Sequence, residues 1–178
     1  VSSGARTAEL KKLDLAKVVG DVHELFEPSA EEAGVEVEMA IEDVPKVEAN
    51  RELIAQALIN LLDNALKYGG TASAKTIRLS LTQDIDNVVI AVSDNGPGIP
   101  ENELERVKER FVRLDASRST PGTGLGLALV DAVAKLHNGQ LKFADNAPGL
   151  VAKLVLPLSS SLDERPKRND VHQIDECE

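Results

Sequence analysis

Between Leu15 and Leu156 the spacing of apolar residues switches repeatedly between the 3.6-residue period of a helix and the 2-residue period of a strand. Such a chain folds into neither a pure helical bundle nor a pure sheet sandwich. Leu15, Val18, Val19, Val22, Leu25 and Phe26 recur at helical intervals and predict an amphipathic helix running to about Gly34, its expected C-cap. Val35, Val37, Met39 and Ile41 then alternate with Glu36, Glu38 and Ala40, as in a half-buried strand. A second helix is expected from Asn50, a good N-cap. Ile77, Leu79 and Leu81 alternate with polar neighbours, Val88 to Val92 is almost continuously apolar, and the turn at Asp84 to Asn87 makes the two runs adjacent antiparallel strands. A short helical piece over 101–110, a third helix over Leu125 to His137 and a final hairpin turning at Asn146-Ala147-Pro148-Gly149 complete the pattern. The expected class is α+β, a two-layer sandwich of a mixed, mostly antiparallel sheet with about three helices on one face.

At 178 residues and 42% apolar content, one domain with a single core is expected, over residues 13–158. Residues 1–12 are polar and read as a linker left from something longer, and 159–178 as a charged, disordered tail. The sole cysteine, Cys177, leaves no disulfide framework and no cysteine-based zinc site, which makes a reducing, cytoplasmic setting the default. A net charge of −10 repels phosphodiester backbones, and 2% aromatic residues offer no stacking platform, so nucleic acid is not the expected partner. No apolar run approaches the roughly 20 residues that span a bilayer, and Val1 to Leu15 lacks a signal peptide's apolar stretch.

Three polar features stand out. On the second helix Asn60, Asp63, Asn64 and Lys67 fall at i, i+3, i+4 and i+7 and form one stripe opposite an ordinary apolar face. A solvated face normally uses Glu and Lys, whereas each Asn or Asp costs roughly half a kcal/mol in a helix interior. Amide oxygens are hard, neutral donors suited to Mg²⁺ that takes its negative charge from substrate phosphates, and Lys67 could meet a phosphate. The plain alternative is a solvated stripe. Second, the strand Val88 to Val92 ends in Ser93-Asp94-Asn95-Gly96-Pro97-Gly98-Ile99-Pro100, which sets one carboxylate beside a stiff, glycine-shaped wall. A carboxylate only accepts hydrogen bonds, so it would select an amino donor such as that of adenine; the alternative is a simple turn. Third, Ser117 to Leu127, with Gly122, Thr123, Gly124, Leu125, Gly126 and Leu127 at its end, opens a helix whose free N–H groups favour phosphate, with Arg113 and Arg118 nearby. This stretch lacks the Lys-Ser/Thr of a P-loop and the strand and spacing of a dinucleotide fingerprint.

In wording, order and spacing these segments resemble the catalytic ATP-binding domain of sensor histidine kinases, within the GHKL ATPase superfamily shared with gyrase, heat-shock chaperones and mismatch-repair proteins. Asn60-Leu-Leu-Asp-Asn64-Ala-Leu-Lys67-Tyr68 is similar to the N box, Asp94-Asn-Gly96-Pro-Gly98 to the first glycine box, Arg110-Phe111-Val-Arg113 to the F box, and Gly122-Thr-Gly124-Leu-Gly126-Leu127 to the second glycine box. The resemblance covers about Leu13 to Leu158. It implies ATP and Mg²⁺ as cofactors, with Asn64 as metal ligand and Asn60 supporting the phosphate region. Lys67 and Tyr68 would face phosphates and ribose, Asp94 would bind the adenine amine, and Gly96, Gly98 and Ile99 would wall the base. Residues 112–121 would form a lid hinged at Gly122 to Gly126, with Phe111 beside it, and Arg113 and Arg118 are the candidates for the γ-phosphate. Lys67, Arg113 and Asn60 are the expected catalytic groups.

The same resemblance implies a histidine acceptor on a dimerisation hairpin of the parent chain, a response regulator downstream, a parent anchored in the inner membrane, and a monomeric fragment. His23-Glu24-Leu25-Phe26-Glu27-Pro28 echoes an acceptor box, yet the stretch from His23 to Asn60 is too short for a two-helix hairpin, and a surface position is expected for His23. His137 is expected as a helix C-terminal cap. Three rival readings stand beside this one: an ATP-driven dimer clamp of the chaperone or mismatch-repair type, a stand-alone anti-sigma-type serine/threonine kinase, and a degenerate protein-binding module.

Overall fold

The computed structural model describes residues 9–68, 75–96, 125–146 and 148–158. Helix α1 (Leu15–Glu32) starts where Asp14 turns its carboxylate onto the Ala16 N–H at 3.1 Å. It ends where Gly34, at φ +69°, reverses the chain so that the Gly34 N–H donates to Glu31 O (3.0 Å) and the Val35 N–H to Ala30 O (2.9 Å). Leu15, Val18, Val19, Val22, Phe26 and Ala30 are buried, whereas Leu25 is 67% exposed. At 100° per residue Leu25 falls on the flank of that stripe rather than at its centre.

Strands β2 (Glu36–Ile41), β4 (Thr76–Gln83), β5 (Asn87–Asp94), β6 (Gln140–Asp145) and β7 (Leu150–Pro157) form one sheet in the order β2-β4-β5-β7-β6. Only the β2–β4 pairing is parallel; β4–β5, β5–β7 and β6–β7 are antiparallel. Helices α1, α2 (Arg51–Tyr68) and α3 (Leu125–Leu136) pack on this sheet, α1 over β2 and β4, α2 over β4 and β5, α3 over β6 and β7. Every second residue of the central strands, such as Leu79, Ile90 and Leu154, is buried under the helices while the alternate residues are half-buried or exposed. This is the two-layer α+β arrangement the apolar spacing predicts. At the sheet edge β2 departs from the half-buried expectation: Met39 and Ile41 are 45% and 40% exposed, because an edge strand extends past the cover of α1.

The chain also makes a second, two-stranded antiparallel ribbon of β1 (Lys11–Leu13) and β3 (Val47–Ala49). Lys11 and Lys12, read from sequence as linker, are therefore strand residues. Val47 and Ala49 are buried on either side of exposed Glu48, a period-2 signal too short to register before the helix that follows. Asn50 then caps α2, its side-chain oxygen accepting from the Leu53 N–H at 3.0 Å and its Nδ2 donating to Glu9 O at 3.4 Å.

The β4–β5 turn is organised by Asp84, whose Oδ1 accepts from the Asp86 N–H (3.0 Å), the Asn87 N–H (2.8 Å) and Asn87 Nδ2 (3.3 Å). The Asp86 N–H, then that of Asn87, hold this exposed carboxyl below the ordinary aspartate value of 3.8. A lowered folded value means that the ionised form favours the folded state. The contribution is complete above the unfolded pKa and disappears as pH falls through the folded one. Urea unfolding of the parent sequence and of Asp84→Ala is expected to show a stability gap at pH 7 that closes below about pH 3.8. A gap independent of pH would exclude the charge as the cause.

The expected helical piece at 101–110, the lid at 112–121 and the tail at 159–178 lie outside the described residues.

Candidate functional site

Helix α2 lies between its two neighbours, so little of it faces water. Ile54, Ala57, Leu58, Leu61, Leu62 and Ala65 are buried as its apolar spacing requires. The polar stripe is itself half-buried at Asn60, Asp63 and Asn64, with only Lys67 exposed. A solvated stripe would not be. Among the described residues the buried Nδ2 of Asn64 finds no hydrogen-bond partner. Leaving a buried amide donor unmade costs about 1–3 kcal/mol, and such groups persist in native proteins where they have other work.

The C-terminal end of α2 meets the end of β5 through a short chain of contacts. Lys75, 9% exposed, donates its ammonium to Leu66 O in the last turn of α2. Next to it, the Thr76 N–H donates to Asn95 Oδ1 at 2.9 Å. Asn95 follows Asp94, the last residue of β5, which is 6% exposed and paired across the ladder with Ile77. The Asp94 Oδ1 accepts from the Gly96 N–H at 2.9 Å, an Asx-type closure that holds the carboxylate against the loop. Lys67 and Asp94 are thereby brought to one end of the fold. Asp94 thus combines burial with an ionisable acceptor at the mouth of a glycine loop.

Helix α3 brings the third element. At its C-terminus Asn138, at φ 56°, reverses the chain, and the Gly139 N–H closes on Ala134 O at 2.8 Å. His137, expected only as a cap, does more: buried to 4% exposure, its Nδ1–H donates to Val133 O (2.7 Å) and its Nε2 accepts from the Asn50 N–H (3.0 Å). It therefore joins the end of α3 to the start of α2. Gly139 allows this junction to close, because a Cβ there would stand 2.0 Å from Val155 O. Packed side by side from that junction, α2 and α3 run in opposite directions. At about 1.5 Å per residue the first turn of the 12-residue α3 comes level with about Leu62, beside Asn60 and Asn64. The positive end of α3 and the amides of α2 thus share one neighbourhood.

Of the residues singled out in the sequence, Asn60, Asn64 and Lys67 lie along the C-terminal half of α2, which Tyr68 ends; Asp94 and Gly96 stand at the end of β5, tied to the last turn of that helix; and Leu125, Gly126 and the half-buried Leu127 form the first turn of α3. Gly98, Ile99, Phe111, Arg113, Arg118, Gly122, Thr123 and Gly124 lie outside the described residues. Three further contributors carry no local signal in the sequence: Lys75, Asn146 (whose Nδ2 donates to Asp94 O at 2.8 Å) and the His137–Asn50 bond. His23, mid-α1, places Nε2 3.3 Å from Val37 O and ties α1 to β2.

Among the described residues no group of three or more His, Cys, Asp or Glu side chains is placed to hold a metal ion. The amide oxygens of Asn60 and Asn64 fit a hard cation only where phosphate oxygens complete its shell, which suits Mg²⁺ bound with a nucleotide. No helix among those residues is long and apolar enough to cross a membrane.

Residues 49–160 match the model of the family described as histidine kinase-, DNA gyrase B-, and HSP90-like ATPase. The non-motile and phage-resistance protein of Caulobacter vibrioides is 30% identical over 96% of this chain, and the sensor histidine kinase CusS of Escherichia coli O157:H7 is 37% identical over 84% of it. The chain spans 21% of the first protein and 31% of the second. The catalytic domain of histidine kinase ThkA, solved in a nucleotide-free form, superposes with a TM-score of 0.71 at 27% identity, covering 84% of this chain and 98% of that one. The chain therefore belongs to the histidine kinase-, DNA gyrase B- and HSP90-like ATPases, as a catalytic ATP-binding domain of the sensor histidine kinase type.

Proposed function

We propose that this chain binds Mg-ATP at the shared end of α2, β5 and α3 and presents its γ-phosphoryl group to a histidine on a separate dimerisation hairpin of the parent protein. A response regulator would then receive the phosphoryl group. The observation that carries the reading is the buried amide nitrogen of Asn64, unpaired among the described residues, on the helix whose end is tied through Lys75 and Asn95 to the buried carboxylate of Asp94. An acceptor for the adenine amine at Asp94 and an amide oxygen for a phosphate-bound cation at Asn64 are the two polar groups a nucleotide needs. ThkA has also been solved in complex with the response regulator protein TrrA, which supports the downstream step.

Asn64, with Asn60 one turn before it, would hold Mg²⁺ against the phosphates, and Asp94 would accept the adenine amine. Bound there, Mg²⁺ supplies charge neutralisation on the phosphoryl oxygens. Lys67, the N-terminus of α3 and Arg113 would add donors around the same oxygens, with Arg118 as a further γ-phosphate contact. Tyr68 would face the ribose. Gly98 and Ile99 would wall the base, and residues 112–121 with Phe111 would cover the site from a hinge at Gly122 to Gly126. Catalysis on this account is placement plus electrostatics. The nucleophile comes from outside the domain. A cytoplasmic site, with the parent anchored at the inner membrane, and a monomeric domain complete the proposal.

The test uses the parent protein with γ-labelled ATP. Label that depends on Mg²⁺, is lost in acid and survives alkali is expected, the behaviour of a phosphoramidate on histidine. Acid-stable label would instead favour a serine/threonine kinase, and absence of label with intact ATP binding would favour a nucleotide-driven clamp.

A further inference from the structure

We propose that Asn146, in the turn between β6 and β7, is a positioning residue for the Asp94 carboxylate and sets how strictly the site reads a 6-aminopurine. The proposal rests on the nucleotide reading above.

The backbone ladder between β5 and β7 ends at the pair Ser93–Val151. Asp94 lies one residue past it, outside the β5–β7 ladder. Asn146 supplies the donor: its Nδ2 reaches Asp94 O at 2.8 Å, from 52 positions further along the chain. On the opposite flank Asn95 Oδ1 does the same for the Thr76 N–H at 2.9 Å. Two asparagine side chains thus extend the sheet by a rung on either side of the peptide that carries the carboxylate. A carboxylate so placed has little freedom, since its own Oδ1 is fixed by the Gly96 N–H.

The turn is shaped for this contact. Gly149, at φ +111°, lies so near that a Cβ would stand 1.8 Å from Asp94 O. The turn closes with backbone alone, the Asn146 N–H donating to Gly149 O at 3.0 Å, which leaves the amide side chain for Asp94. Removing that side chain keeps the turn and releases the carbonyl. The peptide following Asp94 can then rotate, and a hydrogen-bonding group needs placement to within about 0.5 Å to discriminate between ligands.

A residue that merely stabilised the turn would affect every nucleotide alike. Calorimetric titrations of Asn146→Ala with Mg-ATP and with Mg-ITP, which carries a 6-oxo group in place of the amine, separate the two roles. ATP affinity is expected to fall by about fivefold and ITP affinity by less than about twofold, the scale of one neutral hydrogen bond. Asn146→His, whose Nδ1–H takes the place of Nδ2, is expected to restore most of the ATP preference. Equal losses for both nucleotides, or an unchanged ATP affinity in a folded variant, overturn the proposal. Asp94→Asn serves as the control. If it leaves the ATP-to-ITP ratio unchanged, the nucleotide reading itself fails; if it removes the preference while Asn146→Ala does not, only the role of Asn146 falls.

Discussion

Asp94→Asn is expected to weaken Mg-ATP binding by about 10- to 100-fold, the 1.5–3 kcal/mol scale of a hydrogen bond to a charged group. Structure dictates the direction as well as the size. Oδ1 accepts from the Gly96 N–H at 2.9 Å, and in the variant the amide oxygen keeps that bond because only an acceptor fits there. The amide nitrogen must then take the place of Oδ2, which accepts no hydrogen bond from the described residues. Two donors, the new NH₂ and the adenine amine, would face one another. Since the Gly96, Asn146 and Thr76 contacts all survive, thermal unfolding should shift by no more than a few degrees. Calorimetry showing unchanged ATP affinity in the folded variant would remove Asp94 from the adenine site.

How much of this was visible beforehand depends on how local each signal is. The amide stripe of α2 stood out because Asn and Asp in a helix interior run against propensity, and such a cost is registered one residue at a time. Asp94 stood out because an apolar strand stops at a carboxylate followed by glycines. Neither feature shows what surrounds it. The His137 ring meets the Asn50 N–H across 87 residues and the Asn146 amide meets the Asp94 carbonyl across 52, and no periodicity reports contacts of that range. Lys75 likewise looks like any surface lysine until the end of α2 is laid beside it. Edges are equally silent: Val37, Met39 and Ile41 alternate as a covered strand does, and only the sheet order shows β2 to be outermost. The same limit applies to β1, whose pairing with β3 is three residues long.

For Asn64→Ala, function and stability are expected to move in opposite directions. Loss of the amide oxygen that ligates Mg²⁺ should weaken Mg²⁺-dependent ATP binding by at least about tenfold, since losing even an outer-shell partner of a metal ligand costs about 10- to 100-fold. ATP binding measured without Mg²⁺ should change much less, because Asp94 and the base wall are untouched. The folded domain, by contrast, loses a buried amide nitrogen that has no partner among the described residues and gains the best helix former within an 18-residue helix. Those two gains, offset in part by the packing lost when the half-buried side chain is cut back to a methyl, leave the variant favoured by about 0.5–1 kcal/mol, which for a domain of this size raises Tm by about 2 °C. A solvated stripe predicts a different pair of results: the same small gain in helix propensity and no change in nucleotide binding. A structural asparagine predicts a third, in which Tm falls and ATP binding falls with it whether or not Mg²⁺ is present. Differential scanning calorimetry beside titrations with and without Mg²⁺ separates all three, and only weaker Mg²⁺-dependent binding in a more stable protein leaves Asn64 as a residue kept for the metal at the expense of the fold.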